Sequence, residues 1–288
     1  MIRRPGGLPA ALAGLDRSAV MGVLNVTPDS FSDGGRFLDA AAAVEHGRLL
    51  HSRGADLVDI GGESTRPGAQ RISVDEECAR VLPVIEGLVA LGVPVSIDTM
   101  RAATARAAVA AGACVVNDVS GGLADDEMYR TVAALQVPYV VMHWRGHSDR
   151  MANLATYEDV VAEVHRELRV RVDEAIADGI ASTSVIVDPG LGFAKEADHN
   201  WQLLSKLPSL QALGYPLLLG ASRKRFLGSV LADAEGAARP VEERDAATDA
   251  ITAIAAAMGV WGVRVHDVGG SSDAVRVAAA WRRGREHA

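Results

Sequence analysis

Residues 92–117 decide the fold: Gly92-Val93-Pro94-Val95-Ser96-Ile97-Asp98 is answered, after an alanine-rich segment, by Gly112-Ala113-Cys114-Val115-Val116-Asn117. In both phrases a helix closes near a glycine, apolar residues follow, and a polar residue stands where the run stops. Working outward, the phrase recurs at Gly54 into Leu57-Val58-Asp59-Ile60, Val137 to His143, Ser184 to Asp188, Gly214 into Tyr215 to Gly220, and Gly259 into Val260 to His266. With Val20 to Asn25 at the start, eight strands are expected. Near-continuous apolar runs mark strands covered on both faces, which means a parallel sheet wrapped by helices.

The segments between the runs read as those helices. Ser73-Val74-Asp75-Glu76 is a capping box opening a helix that stops at Gly92, and Thr156-Tyr157-Glu158-Asp159 opens a long one ending at Gly179. In the latter, Tyr157, Val161, Val164, Leu168, Val172 and Ile176 recur at three- and four-residue steps, so one apolar stripe faces the sheet. Eight such units predict an α/β fold, a single-domain (β/α)8 TIM barrel over residues 18–288, preceded by a loose leader over residues 1–17. A doubly wound open sheet is the alternative. It would want a G-x-G-x-x-G turn after a strand, and Gly190-Leu191-Gly192 runs on into Phe193-Ala194-Lys195 instead.

Composition agrees with a large packed core: 49% of the 288 residues are hydrophobic, while aromatics at 4% leave Ala, Val, Leu and Ile to fill it. A net charge of -8 argues against a broad electrostatic footprint for nucleic acid or an anionic membrane, so any anion must meet a local site. Cys78 and Cys114 show no metal-ligand spacing, and a reducing compartment, the cytoplasm, is expected. The leader is broken by Pro5, Gly6, Gly7, Pro9 and Gly14, unlike a secretory signal, and no long uncharged apolar run suggests a membrane span.

Barrel enzymes work at the carboxyl ends of their strands. Asn25, Asp59, Asp98, Asn117, His143, Asp188 and His266 all stand at or near such ends. A buried carboxylate or amide there costs free energy unless a partner satisfies it; one alone could cap a helix, whereas Asp98, Asn117 and Asp188 together suit a flat heterocycle with N–H donors and an amide edge. The first strand opens into a long loop, Asn25-Val26-Thr27-Pro28-Asp29-Ser30-Phe31-Ser32-Asp33-Gly34-Gly35, and connections of that length are commonly lids or binding loops. After the second strand, Gly61-Gly62-Glu63-Ser64-Thr65-Arg66-Pro67-Gly68 sets an arginine among small residues. Ser222-Arg223-Lys224-Arg225 and Arg264-Val265-His266 place cations after strands seven and eight, where barrels often hold phosphate; part of the basic run is expected to be a solvated turn. Arg264 and His266 alternate along a strand and share a face. His143 and His147 lack further convergent ligands, so no zinc site is expected.

As an ordered set, Gly22 to Asp33, Gly61 to Gly68, Ser96 to Thr99, Val116 to Gly122, Asp188 to Phe193, Gly220 to Lys224 and Arg264 to His266 closely resemble the motifs of the dihydropteroate synthase family. The resemblance implies a transferase of folate biosynthesis that condenses 6-hydroxymethyl-7,8-dihydropterin pyrophosphate with 4-aminobenzoate and releases pyrophosphate. It implies that Asp98, Asn117 and Asp188 hold the pterin, with Val119, Met142 and Lys224 lining its slot. Asn25, Arg264 and His266 would hold pyrophosphate with Mg2+, Asn25 approaching the metal. Thr65, Arg66, Pro67, Phe193 and Ser222 would frame the aminobenzoate. Asp33, Asp188 and Lys224 would be catalytic. A homodimer and a sulfonamide target are implied as well. A methyl-pterin methyltransferase would share the Asp98, Asn117 and Asp188 group without needing the anion site, and a non-catalytic pterin-binding paralogue is the reading from outside the enzymes.

Overall fold

The computed structural model describes residues 2–27, 35–63, 71–146 and 154–286. The strands are β1 (Ala19–Asn25), β2 (Leu57–Gly61), β3 (Val95–Asp98), β4 (Val115–Asp118), β5 (Tyr139–Met142), β6 (Val185–Asp188), β7 (Leu218–Leu219) and β8 (Gly262–Val265). The helices are α1 (Ala10–Ala13), α2 (Gly35–Ser52), α3 (Val74–Ala90), α4 (Ala102–Ala110), α5 (Met128–Leu135), α6 (Val160–Ala177), α7 (Ala197–Ser205), α8 (Leu207–Gln211), α9 (Arg225–Val230), α10 (Asp245–Ala257) and α11 (Val268–Glu286). Every strand pair is parallel, in the order β6-β5-β4-β3-β2-β1-β8-β7. A parallel bridge between Val187 and Leu217 brings the two ends together, so the expected eight-stranded barrel forms.

Because side chains alternate along a strand, each apolar run feeds two cores. Val58 and Ile60, Val95 and Ile97, and Tyr139 and Val141 point outward and pack with Val81, Ile85, Leu88, Leu168 and Val172 of the helices. Met21, Leu57, Val115, Val140, Ile186 and Leu218 point inward and form a separate cluster in the barrel. One step further along the same inward rows stand Asp59, Asn117, Met142 and Asp188.

Four expectations need correction. Residues 2–17 are not loose: Ile2 and Leu12 are 6% and 2% exposed and join the inward cluster with Trp261. Gly6 N–H donates to Thr183 O at 2.7 Å, and Arg3 donates to Gln211 O at 2.9 Å, so the segment is tied to distant parts of the chain. Its glycines and prolines hide any periodicity, yet two apolar anchors are enough to dock it. The seventh strand is shorter than Tyr215 to Gly220: Pro216 has no N–H to donate, and Leu217 O takes both Trp261 N–H and Gly262 N–H, at 2.9 and 3.2 Å. The long helix starts at Val160 rather than Thr156, with Asp159 accepting from the N–H groups of Val161 and Ala162 at 3.0 Å each. In the capping box of α3, Ser73 accepts from Glu76 N–H at 3.1 Å, but the Glu76 carboxylate takes a hydrogen bond from Arg80.

If Leu12 anchors the N-terminal segment, Leu12→Ala should lower stability by about 2–5 kcal/mol, the usual cost of emptying a buried leucine site. Urea denaturation checks this, and a change below about 0.5 kcal/mol would mean that the segment behaves as a loose tail.

Candidate active site at the barrel mouth

The carboxyl ends of the strands surround a polar floor. Asp59 from β2, fully buried, receives Arg264 Nε at 2.6 Å and Asn117 Nδ2 at 2.9 Å on the same oxygen, Oδ2. The other guanidinium arm of Arg264 donates to Asp98 Oδ2 at 2.7 Å. One cation on β8 therefore sits between carboxylates from β2 and β3, and an amide from β4 completes the group. Asp59 Oδ1 and Ser96 Oγ, buried on paired positions of β2 and β3, have no hydrogen-bond partner among the described residues.

Asp188 closes the floor from β6, where it lies in register with Met142 of β5. Its Oδ1 accepts from Gly190 N–H at 2.7 Å. That turn requires glycine: Gly190 has φ +64°, and a Cβ there would fall 2.3 Å from His143 O. Across the mouth, Gly220 leaves a gap on which three groups converge. A Cβ on it would lie 3.8 Å from Lys224 Nζ and 4.0 Å from both Asp188 Oδ2 and Arg264 Cβ. Lys224 also donates to Leu191 O and lies over the Phe193 ring, 4.7 Å from its centroid.

Burial sets the protonation of this group. It pushes the Asp98 carboxyl up to about 7 against the pull of Arg264, and raises Asp188 despite Lys224. Burial also brings the Lys224 ammonium down to about 8, with Asp188 acting the other way. Burial alone would lower Arg264, but Asp59 and Asp98 more than offset it, so its guanidinium stays charged. The floor holds acceptors ready for donors, beside cations ready for an anion.

His266 continues the inward row of β8. Ser222 Oγ and His266 Nδ1 are 2.9 Å apart, and His266 N–H donates to the same hydroxyl at 3.1 Å. Burial, then Arg264 and Arg223, lower the imidazole to about 4, so it is neutral at pH 7. With Nδ1 accepting the serine hydrogen, Nε2 carries the ring hydrogen and can donate. Asn25 ends β1 half-buried, beside Gly61. Val119 and Met142 are 7% and 4% exposed. The Val119 loop is fixed by the buried Asp118, which accepts from Ser120 N–H, Ser120 Oγ, Gly122 N–H and Tyr139 OH at 2.6–2.8 Å.

Of the basic run, only Arg225 is exposed, whereas Arg223, at φ +59°, makes two 2.7 Å bonds to Asp245. Asp33, Thr65, Arg66 and Pro67 lie outside the described residues. The stems of their second loop are held from below: Arg101 donates to Glu63 and to Ile72 O, both at 2.6 Å, and to Glu77 at 2.8 Å. Sequence reasoning placed Asp59 at a strand end but gave it no role, and it missed Glu63 and Arg101. For Asp59 the available signal was its two-residue step from Leu57, which turns it inward.

The family of pterin binding enzymes matches residues 21–266. A dihydropteroate synthase of Mycobacterium leprae is 56% identical over 263 residues, which span 91% of this chain and 93% of that protein. The dihydropteroate synthase of Xanthomonas albilineans solved with 4-aminobenzoic acid superposes with a TM-score of 0.85 at 46% identity, covering 94% of each chain. Its complex with 7,8-dihydropteroate gives 0.83 at 43% identity, covering 97% of each.

Removing Arg264 leaves two buried carboxylates without their cation, so Arg264→Met should destabilise the protein by about 3–5 kcal/mol at pH 8. Asp98 titrates higher folded than unfolded. Its contribution to stability is therefore full below the ordinary carboxylate value and is lost as pH rises through about 7. The cost of Arg264→Met should shrink towards pH 5, where Asp98 carries its own proton; a cost equal at pH 5 and pH 8 would remove the ion pair as its cause.

Proposed function

The chain belongs to the dihydropteroate synthases within the pterin binding enzymes, and from that membership we propose how its barrel mouth carries out the family reaction. The enzyme condenses 6-hydroxymethyl-7,8-dihydropterin pyrophosphate with 4-aminobenzoate, giving 7,8-dihydropteroate and pyrophosphate. The observation that carries the assignment of the site is the convergence of Asp98, Asn117 and Asp188, from three strands, on one buried floor.

In this reading the pterin lies on that floor. Its ring N–H and amino groups donate to Asp98 and Asp188, and Asn117 meets its amide edge, since carboxylates only accept and an amide does both. Met142 and Val119 wall the slot, and Lys224, beside Asp188, closes it. The cations meet the substrate next: Arg264, rooted in the floor, and neutral His266, which donates, face the pyrophosphate side together with Asn25. Arg264 reaches both regions, because its guanidinium already bonds Asp98.

The reaction needs no covalent enzyme intermediate. The bond between the exocyclic methylene and pyrophosphate oxygen breaks, its electron pair leaves with pyrophosphate, and the pterin ring spreads the positive charge. Asp188 and Asp33, the latter from the first loop, stabilise that charge. The aniline nitrogen then forms the new C–N bond and loses its proton. Thr65, Arg66, Pro67, Phe193 and Ser222 frame that second substrate, at the end where a sulfonamide would compete.

Mg2+ fits this arrangement only as an ion carried by pyrophosphate. Among the described residues no cluster of three or more His, Cys, Asp or Glu could hold a metal, while the half-buried amide of Asn25 offers one hard oxygen. When bound there, the ion would neutralise charge on the leaving group. Two copies are proposed to pair, supported by exposed Ile254 on α10, Met258 just past its end, and Val277 and Trp281 on α11. The cytoplasm is proposed as the compartment, in keeping with the free thiols of Cys78 and Cys114.

Purified protein mixed with pterin pyrophosphate, 4-aminobenzoate and Mg2+ should release pyrophosphate and dihydropteroate in equal amounts; no release would overturn the activity. Asp188→Ala leaves ring donors unsatisfied at about 1–3 kcal/mol and should weaken pterin binding tenfold or more, whereas unchanged affinity in the folded variant would remove Asp188 from the pocket. Asp33→Asn is expected to cut kcat strongly with the pterin Kd nearly unchanged, because its charge meets one that exists mainly in the transition state. Equal losses in both would make Asp33 a ground-state ligand.

A further inference from the structure

Behind the loop that follows β6 runs a chain of charged groups that the proposed chemistry does not use. Lys195, 8% exposed, places Nζ 2.8 Å from His143 Nδ1 and donates to Gly190 O at 3.1 Å and Phe193 O at 3.0 Å. An ammonium has three hydrogens, and here it meets three acceptors. His143, 2% exposed, has its Nε2 3.0 Å from Glu167 Oε2. Burial and then Lys195 lower His143 to about 4, so the ring is neutral, donating to Glu167 through Nε2 and presenting the Nδ1 lone pair to Lys195. Glu167, held down to about 2 by His143 and Arg145, takes Arg145 Nη2 at 2.6 Å. Arg145 also bonds Glu163 at 2.8 Å and stacks on Tyr157, 3.9 Å from its ring centroid. Tyr157 OH in turn donates to Ala194 O at 2.9 Å.

Two of these groups bond residues 189–195 directly, Lys195 through Gly190 O and Phe193 O and Tyr157 through Ala194 O. Ala194 holds a left-handed φ of +46°, which an L residue keeps only when its surroundings impose it. Asn200 Oδ1 takes Gly192 N–H at 2.7 Å, and Leu191 O takes Lys224. Burying an ammonium is costly, and burial together with Lys224 works against its charge. A hydrocarbon side chain could fill the same space without that cost. What the ammonium adds is a fixed spacing between two carbonyls of one short loop, and that loop carries Phe193 and the acceptor on which Lys224 rests.

We propose that Lys195 is a positioning residue, which through Gly190 O and Phe193 O sets the Phe193 ring at the aminobenzoate end of the site. The proposal rests on the reading of Phe193 as an aminobenzoate contact. A residue that only stabilised the fold would affect both substrates alike, whereas one that places Phe193 acts on the second substrate alone.

The test uses the full chain carrying Lys195→Met, compared with the native chain by thermal melting, calorimetric titration with the pterin, and steady-state kinetics. The expected result is a tenfold or greater rise in KM for 4-aminobenzoate, with kcat and the pterin Kd each within about threefold of native. An unchanged KM, or a pterin Kd that rises with it, overturns the proposal. Phe193→Ala separates the two failures: if it leaves the aminobenzoate KM unchanged, the underlying contact is wrong, and if it raises KM while Lys195→Met does not, only the role of Lys195 is wrong. Should Lys195→Met not fold, Glu167→Gln acts at the more exposed end of the chain and should raise the aminobenzoate KM threefold or more; no change would overturn the proposal.

Discussion

A cation inside the barrel makes its upper half possible. The usual barrel interior is filled by layers of branched aliphatic side chains, but here Asp59, Asp98, Asn117 and Asp188 occupy inward positions. Two carboxylates as close as Asp59 and Asp98 would repel each other and resist burial. Arg264 sits between them, and Asn117 shares the oxygen of Asp59. The result is a strut that crosses the barrel from β8 to β2, β3 and β4. It is also an open arrangement, since Asp98 keeps enough exposure to meet a ligand while Asp59 keeps none. The apolar layer below, with Ile2, Leu12 and Trp261, supplies the burial that the polar floor forgoes.

The mouth divides its work between strands and loops. In the proposed reading, strand residues hold what must stay fixed, the flat ring of the first substrate, and side chains beyond the strand ends meet groups that change during the reaction. The loops are nevertheless moored: Arg101 ties Glu63 to Ile72 across the second loop, Asp118 ties the turn after β4, and Lys195 ties the turn after β6. Asp118 and Lys195 each bind more than one backbone group, while Arg101 takes one carbonyl and two carboxylates.

The barrel and most of the strand-borne site were legible because they depend on local pattern. A polar residue ending an apolar run is visible in one dimension, as with Asp98, Asn117 and Asp188. Arg264 and His266 could be assigned to one face by alternation. Their partners could not, for Arg264 meets Asp59 and Asp98 across 205 and 166 residues. Asp59 was visible near its strand end but had no role, because its partner Arg264 meets it only when β8 is brought alongside. Lys195 looked like a charge after a glycine turn, and only the approach of His143 and Glu167 from other elements gives it a place. The shortened β7 follows from a proline whose missing N–H matters only once its neighbours are known.

The docked N-terminal segment also bears on the order in which the chain assembles. Ile2 and Leu12 rest in a cluster whose other members run from Ala19 to Trp261. During synthesis the segment leaves the ribosome well before β8, yet its seat is not built until that strand has been made. Such contacts raise the mean sequence separation of the fold and slow its completion. A folding nucleus that forms before β8 is made does so without the docked residues 2–17, and the base of the barrel stays unsealed, its inward leucines and valines open to water or to another chain, until that segment meets Trp261.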